Sequence, residues 1–269
     1  MHANRNHKLG ISWRYCRLAL HILYGVAAAA LVLPLASIGL RQHLKQRWSG
    51  KLLAILQIKP RFGGALPART PHGLLLVSNH ISWLDIFLIN AAQPIHFVSK
   101  SEVRNWPIFG WLSEKAGTLF IDRARKRDTH RIKHTIQDTL KSGYLVGFFP
   151  EGTTTGGNRI LRFNSSLFQA AIDCGCPVQP LTIRYPHSDG SANLAPAYFD
   201  EMSFGDSIRQ IMAEKEIAAE LMFLEPIQPA GKTRRELAVE AEATIASALR
   251  LANPRNGTGT PSDPPDAAQ

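Results

Sequence analysis

The sequence predicts an α/β protein, a mixed sheet flanked by helices, preceded by an N-terminal membrane-associated helical segment. Three observations carry this. From about Pro71 onward, short apolar runs alternate with stretches of helical periodicity, the pattern of helices covering a sheet. Leu18 to Leu40 is a run of 23 residues without Asp, Glu, Lys or Arg. The net charge of +10 is also unevenly placed. Met1 to Leu84 holds 11 Lys/Arg and no acid, whereas the remainder holds 20 Lys/Arg and all 21 acids. With 269 residues, 45% of them hydrophobic and 19% charged, the chain can bury a sizeable core. That excludes the disordered, collagenous and disulfide-stapled classes.

As a helix, Leu18–Leu40 would be about 35 Å long, enough to cross a hydrocarbon layer of about 30 Å. Arg5, Lys8, Arg14 and Arg17 precede it, and Arg41, Lys45, Arg47 and Lys51 follow. Trp13 and Trp48 stand near its edges, where interfacial rings are favoured. Both flanks are positive, as for a helix dipping into one leaflet with both ends on the same side. Arg41 to Ile58 predicts a second, amphipathic helix. Its Leu44, Trp48, Leu52, Ile55 and Leu56 recur at three- and four-residue spacing among basic residues, which suits an anionic bilayer surface. A cleaved signal is a poorer reading, since its apolar region is shorter, at about 7–15 residues. A nucleic-acid partner is not expected, because the cations are interleaved with apolar sequence and no nucleic-acid motif is present. Cys16, Cys174 and Cys176 are an odd count without a disulfide framework, and small buried thiols in a reducing, cytoplasm-facing body fit better.

In the body, strands are expected at Gly73–Ser78, Ile95–Val98, Thr118–Ile121, Tyr144–Phe149, Val178–Arg184 and Ala219–Leu224. Helices are expected at Asp85–Ala92, Pro107–Lys115, Asp128–Ser142 with Asp128 as N-cap, and Ser165–Cys174 stopped by Gly175. A last helix runs to about Leu249, opened by the capping box Thr233-Arg-Arg-Glu236. This divides the chain into a membrane-associated segment, 1–60, a body, 61–252, and a Pro/Gly/Asp/Ser-rich tail, 253–269, expected to be disordered.

Chemistry-bearing residues gather after three of these strands. In Ser78-Asn79-His80-Ile81-Ser82-Trp83-Leu84-Asp85, His80 lies in the turn and Asp85 at the start of the helix. Five residues let the chain curl until the carboxylate reaches an imidazole nitrogen, fixing the tautomer and leaving the other nitrogen as a base. The bland alternative is a polar turn with Asp85 as a cap. In Phe148-Phe-Pro-Glu151-Gly152-Thr153-Thr154, Glu151 is expected at the same sheet edge. Main-chain N–H groups near Gly152 and Thr153 are candidates to hold an oxyanion. Gly147 and Gly152 have the spacing of a phosphate loop, but no Lys follows. Gly152 to Gly156 mimics a nucleophile elbow with Thr at its centre. His80, Asp85 and Glu151 lack a second His at metal-ligand spacing, so no metal is expected. Arg123, Arg125, Lys126 and Arg127 crowd a strand end. Arg123 suits a bidentate grip on phosphate, whereas the other three suit a solvated loop.

Taken together, N-H-x-x-x-x-D, G-x-x-F-I-D-R, F-P-E-G-T and the Pro-centred strand Cys176-Pro177-Val178-Gln179-Pro180 occur in the order of the four blocks of the glycerolipid acyltransferases. The stretch Leu74–Tyr185 resembles the 1-acylglycerol-3-phosphate (lysophosphatidate) acyltransferase, or PlsC-like, family. The resemblance implies that fold over the body. It also implies His80 as general base, Asp85 as its orienting partner, and Glu151, Arg123 and Lys100 beside the acceptor, with Gly152 and Thr153 in the same block. No cofactor is implied beyond the donor substrate, acyl-CoA or acyl-acyl carrier protein (acyl-ACP). The acceptor would be a lysolipid, 1-acyl-sn-glycerol-3-phosphate giving phosphatidic acid, on the cytoplasmic face of the cell membrane. Two departures matter. Thr154 stands where many members carry Arg, and Gly156–Phe168 looks more like the branch that includes lyso-ornithine-lipid acyltransferases, the alternative acceptor. A lipase or thioesterase using Ser78, Ser82 or Thr154 is the more distant alternative.

Overall fold

Seven strands, β1 (Ile58–Gly64), β2 (Leu75–Ser78), β3 (His96–Lys100), β4 (Leu119–Ile121), β5 (Val146–Phe148), β6 (Val178–Arg184) and β7 (Ile217–Phe223), form one sheet in the order β1-β7-β6-β2-β5-β3-β4. All neighbours run parallel except β6 and β7, so the sheet is mixed as expected. The structure is a computed structural model and describes residues 2–65, 73–122, 126–199 and 201–255, with backbone alone at 2–9 and 126–130. The helices are α1 (His2–Leu31), α2 (Ile38–Ile55), α3 (Leu84–Ala92), α4 (Phe109–Lys115), α5 (Lys126–Lys141), α6 (Gln169–Cys174), α7 (Phe204–Ala213) and α8 (Arg234–Leu249).

β2 is central and buried throughout because both faces of the sheet are covered. Its alternation sends Leu76 into a core shared with α2, α3 and α7. Leu75 and Val77 enter the opposite core, with α5, α6 and α8. Burying each such side chain is worth about 1.5–3 kcal/mol, so the centre of the sheet is the best-fixed part of the fold. The capping box at Thr233 and Glu236 forms as expected, and Gly175 ends α6 in the left-handed conformation at φ 63°. α5 begins at Lys126, ahead of the expected Asp128 N-cap. β1 and α7 were not expected. β1 is an edge strand whose Lys59, Pro60 and Arg61 are exposed, so no apolar alternation marks it; Pro is tolerated at such an edge. It also straddles position 60. α7 is short, marked by Ser203, whose hydroxyl accepts the Asp206 N–H as an N-cap, and by Phe204, Ile208, Ile211 and Met212 at helical spacing.

The expected 23-residue helix is not continuous. α1 ends at Leu31, the chain turns through 32–37, and α2 starts after the Ser37 N-cap. Pro34 has no N–H to give to a continuing helix. Among the described residues no helix is long and apolar enough to cross a membrane. α1 and α2 form an antiparallel hairpin instead. The His21 and Trp48 rings stack at 4.7 Å, and each donates to the other's main-chain carbonyl, at 3.0 and 3.2 Å. Gly25 makes room for the indole, because a Cβ there would lie 2.5 Å from its Nε1. The hairpin puts the turn, with Leu35 90% exposed and Arg41 bonded to Ala36 O, at one end, and Arg14, beside Leu56 O, at the other.

Three of the flanking cations serve the fold. The Arg14 guanidinium donates to the carbonyls of Met212 and Glu214 at 2.9 Å and of Leu56 at 3.0 Å, tying α1 to the C-terminal ends of α7 and α2. Arg41 donates to Ala36 O at 3.0 Å across the turn, and Lys45 to Ile95 O at 2.9 Å. α2 therefore differs from the expected bilayer-surface helix. Its Leu52, Leu53, Ile55 and Leu56 are buried in the body, because α3 offers an apolar partner. The three cysteines are free, but Cys16 is exposed rather than packed. At the other end, Arg255 pairs with Glu242 at 2.7 Å, so residues 253–255 of the expected tail are held; 256–269 lie outside the described residues.

Candidate active site

The ends of β6, β2 and β5 are adjacent and point the same way. Each is followed by polar residues of the cluster: Tyr185 after β6, Asn79 and His80 after β2, and Glu151 three positions past β5. A carboxyl edge of parallel strands is where such folds present reactive groups. Asn79 locks the first two ends together, its side chain donating to Ile183 O at 3.0 Å and accepting from Ile183 N–H at 2.8 Å.

His80 and Asp85 meet as the spacing predicts. His80 Nδ1 lies 2.8 Å from Asp85 Oδ2, with the imidazole 17% exposed and Asp85 wholly buried. Oδ2 also accepts the N–H groups of Ile81 at 2.7 Å and Ser82 at 2.9 Å, so one oxygen both closes the turn and holds the ring. An ionised carboxylate only accepts, which puts the proton of the neutral imidazole on Nδ1. Nε2 has no partner among the described residues. The ring is pressed against Phe149, with centroids 3.7 Å apart and planes within 5°, and Phe149 stacks in turn on Phe97 at 5.9 Å.

Glu151 reaches His80 through the main chain. Its Oε1 accepts the His80 N–H at 2.8 Å and its Oε2 the Leu161 N–H at 2.9 Å. Thr155 N–H donates to His80 O at 2.9 Å, so the 151–155 loop grips both sides of the histidine backbone. Burial pushes the Glu151 carboxyl up to about 7 despite these donors, and the nearby negative charge of Asp85 adds to the rise. Gly152, at φ 75°, donates its N–H to Phe149 O at 3.1 Å to close the turn. That N–H is thus engaged within the turn. Thr153 is exposed. The Thr154 hydroxyl is bonded to Tyr198 O.

Lys100 ends β3 at the same sheet edge and is exposed, without a hydrogen bond to the His80 cluster. Arg123 and Arg125 lie outside the described residues, as do the side chains of Lys126 and Arg127. Three participants were not assigned from the sequence. Phe149 sits inside the F-P-E-G-T block but carries no charge to single it out. Asn79 adjoins His80 but reads as a turn residue. Tyr185 is 100 positions from Asp85, and its hydroxyl donates to Asp85 Oδ1 at 2.7 Å. Its one signal is its place at the end of an apolar strand. Among the described residues no group of three or more His, Cys, Asp or Glu stands together as a metal site.

Behind Phe97, a cavity of about 650 Å³ lies between the α1–α2 hairpin and the body. Gly25, Trp48, Phe87 and Leu112 line it with Phe97, and Lys45 is set in its wall. Burial pushes the Lys45 amine down to about 8 and, together with that amine, lowers the His96 imidazole.

The Acyltransferase family model matches residues 59–184. A lyso-ornithine lipid O-acyltransferase from Pseudomonas aeruginosa is 36% identical over 248 residues, covering 90% of this chain and 94% of that protein. A 1-acyl-sn-glycerol-3-phosphate acyltransferase from Neisseria meningitidis is 40% identical over 149 residues, 55% of this chain and 58% of that protein. The crystal structure of the PlsC enzyme of Thermotoga maritima has a TM-score of 0.67 at 20% identity, covering 93% of this chain and 97% of that one, a likeness of fold. On a match along nine-tenths of its length, and with the family's region spanning the β1–β6 part that holds His80, Asp85 and Glu151, the chain belongs to the PlsC-type acyltransferases.

Proposed function

We propose that this acyltransferase moves a fatty acyl group from a thioester, acyl-CoA or acyl-ACP, to the free hydroxyl of a lysolipid, with His80 as general base. The observation that carries this is the His80–Asp85 pair, with Nδ1 held at 2.8 Å and Nε2 unpartnered among the described residues. The acceptor oxygen attacks the thioester carbonyl carbon while Nε2 takes the hydroxyl proton. The tetrahedral intermediate then collapses, the carbon–sulfur bond breaks, and the thiolate leaves and is reprotonated from the imidazolium. Asp85 keeps the reactive tautomer and stabilises the imidazolium, and proton removal of this kind contributes about 10²–10⁴-fold. The thiolate is a good leaving group, so no covalent enzyme intermediate is needed. The apolar cavity behind Phe97 offers volume for an acyl chain.

Lyso-ornithine lipid is the favoured acceptor. The relative bearing that name matches along nearly its whole length, and position 154 carries a hydroxyl engaged with Tyr198 rather than a cation for a phosphate monoester. Lysophosphatidate is the second reading, favoured by the 40% identity to the Neisseria enzyme. Both acceptors sit in a bilayer. Leu20, Leu23, Leu31 and Leu35, each at least 63% exposed, give the hairpin a surface to seat in one leaflet, on the cytoplasmic face where the thioester donors are found.

The deciding experiment offers the purified protein lyso-ornithine lipid and lysophosphatidate, each with acyl-CoA and acyl-ACP, and reads the products by mass spectrometry. Acyl transfer that vanishes in His80→Ala is expected. Free fatty acid released without any lysolipid would mark a hydrolase instead.

A further inference from the structure

We propose that Tyr185 is a positioning residue for this reaction: its phenol holds the Asp85 carboxylate from the side opposite His80 and so sets how basic the imidazole is. The inference rests on the reading of His80 as the base. The two oxygens of Asp85 are loaded unequally. Oδ2 takes the imidazole and two main-chain N–H groups. Oδ1 takes the Tyr185 hydroxyl, at 2.7 Å. Asp85 is wholly buried and Tyr185 only 4% exposed, so water does not replace this donor. Burial beside a carboxylate pushes the phenol well above its ordinary range, which keeps it a donor wherever the enzyme works.

The consequence is electrostatic. A hydroxyl dipole with its positive end on Oδ1 draws charge away from Oδ2 and weakens the pull of Asp85 on an imidazolium. Without it, the buried carboxylate bears harder on His80, the imidazolium is favoured, and the free base forms only at higher pH. The neighbouring charged groups do not duplicate this contact. Glu151, at the end of β5, meets His80 through the main-chain N–H. α2 presents Lys45 at Ile95, beyond the far end of α3. β7 carries Glu220, paired with Arg61. Phe149 and Phe97 complete the surroundings with apolar rings.

The test is the pH profile of kcat/KM, whose acid limb reports the base in the free enzyme. Tyr185→Phe keeps the ring and removes only the donor. Its acid limb is expected to move up by about 0.5–1 pH unit, with kcat lowered and KM for the lysolipid unchanged. Site-specific 3-fluorotyrosine at 185, a stronger donor that keeps the hydroxyl and so the packing, is expected to move the limb down. An acid limb that stays in place in either protein overturns the proposal, whatever happens to kcat. The two readings fail separately. Near-normal turnover by His80→Ala removes the base itself, whereas an inactive His80→Ala beside an unmoved limb in Tyr185→Phe removes only the role of Tyr185.

Discussion

Glu151 holds the backbone of His80 rather than its ring: Oε1 accepts the His80 main-chain N–H at 2.8 Å while Oε2 accepts that of Leu161. Both oxygens are therefore occupied by the chain's own donors. Glu151→Gln replaces one acceptor with an NH₂ group facing an N–H, leaving a buried donor unpaired at a cost of about 1–3 kcal/mol. A turn displaced by an ångström loses about 10²-fold in rate. The expected result is a fall of that order in kcat, with KM for the lysolipid little changed. A variant that raises KM and spares kcat would instead place Glu151 on the acceptor, as the family resemblance implied.

The same carboxyl makes stability depend on pH. Its value rises from an ordinary 4.5 in the unfolded chain to about 7 in the fold. Between these values the folded state holds the extra proton, so its contribution is fully present below about 4.5 and declines as pH rises towards about 7. Thermal unfolding followed across that window is expected to show a declining Tm for the native chain, relative to a flatter profile for Glu151→Gln. Identical slopes for the two proteins would count against a buried, proton-holding Glu151.

His80→Ala is expected to lose about 10²–10⁴-fold in turnover and to remain folded and bound to vesicles, since the buried apolar side chains of both cores are left in place. Asp85→Ala should cost activity and stability together. Asp85 Oδ2 supports the Ile81 and Ser82 N–H groups as well as the ring, and a methyl group accepts from none of them. An Asp85→Ala protein with native Tm would mean that the turn does not depend on this carboxylate.

Arg14 supplies a prediction about the hairpin. Arg14→Met keeps a long apolar stem but strips the donors from the carbonyls of Leu56, Met212 and Glu214. The loss of charge-assisted bonds at two helix C-termini is expected to lower stability by about 1–3 kcal/mol. Limited proteolysis should then open α1 before the sheet. Unchanged proteolysis and Tm would show that α1 is held by its apolar contacts alone.

Much of this protein is written locally. The apolar runs at β2, β5 and β6, the Thr233–Glu236 box and Gly175 each act within a few residues, so their elements fall close to where the sequence puts them. The His80–Asp85 pair is also local, since the two residues stand five apart and meet within one turn. Only the tertiary structure decided what lies at long range. The break expected after Leu40 falls instead at 32–37, around Pro34, and the His21–Trp48 stack folds the two helices into a hairpin. Arg14 and Lys45, which read as membrane charges, were taken up by distant carbonyls of the fold. Phe149 and Tyr185 came to the histidine, and Glu151, expected at its sheet edge, took its main-chain N–H, because β5 and β6 flank β2. Spacing in the chain fixes which neighbours can meet, but contacts across strands depend on the order in which the strands pair, and that order is set by the burial of both sheet faces together.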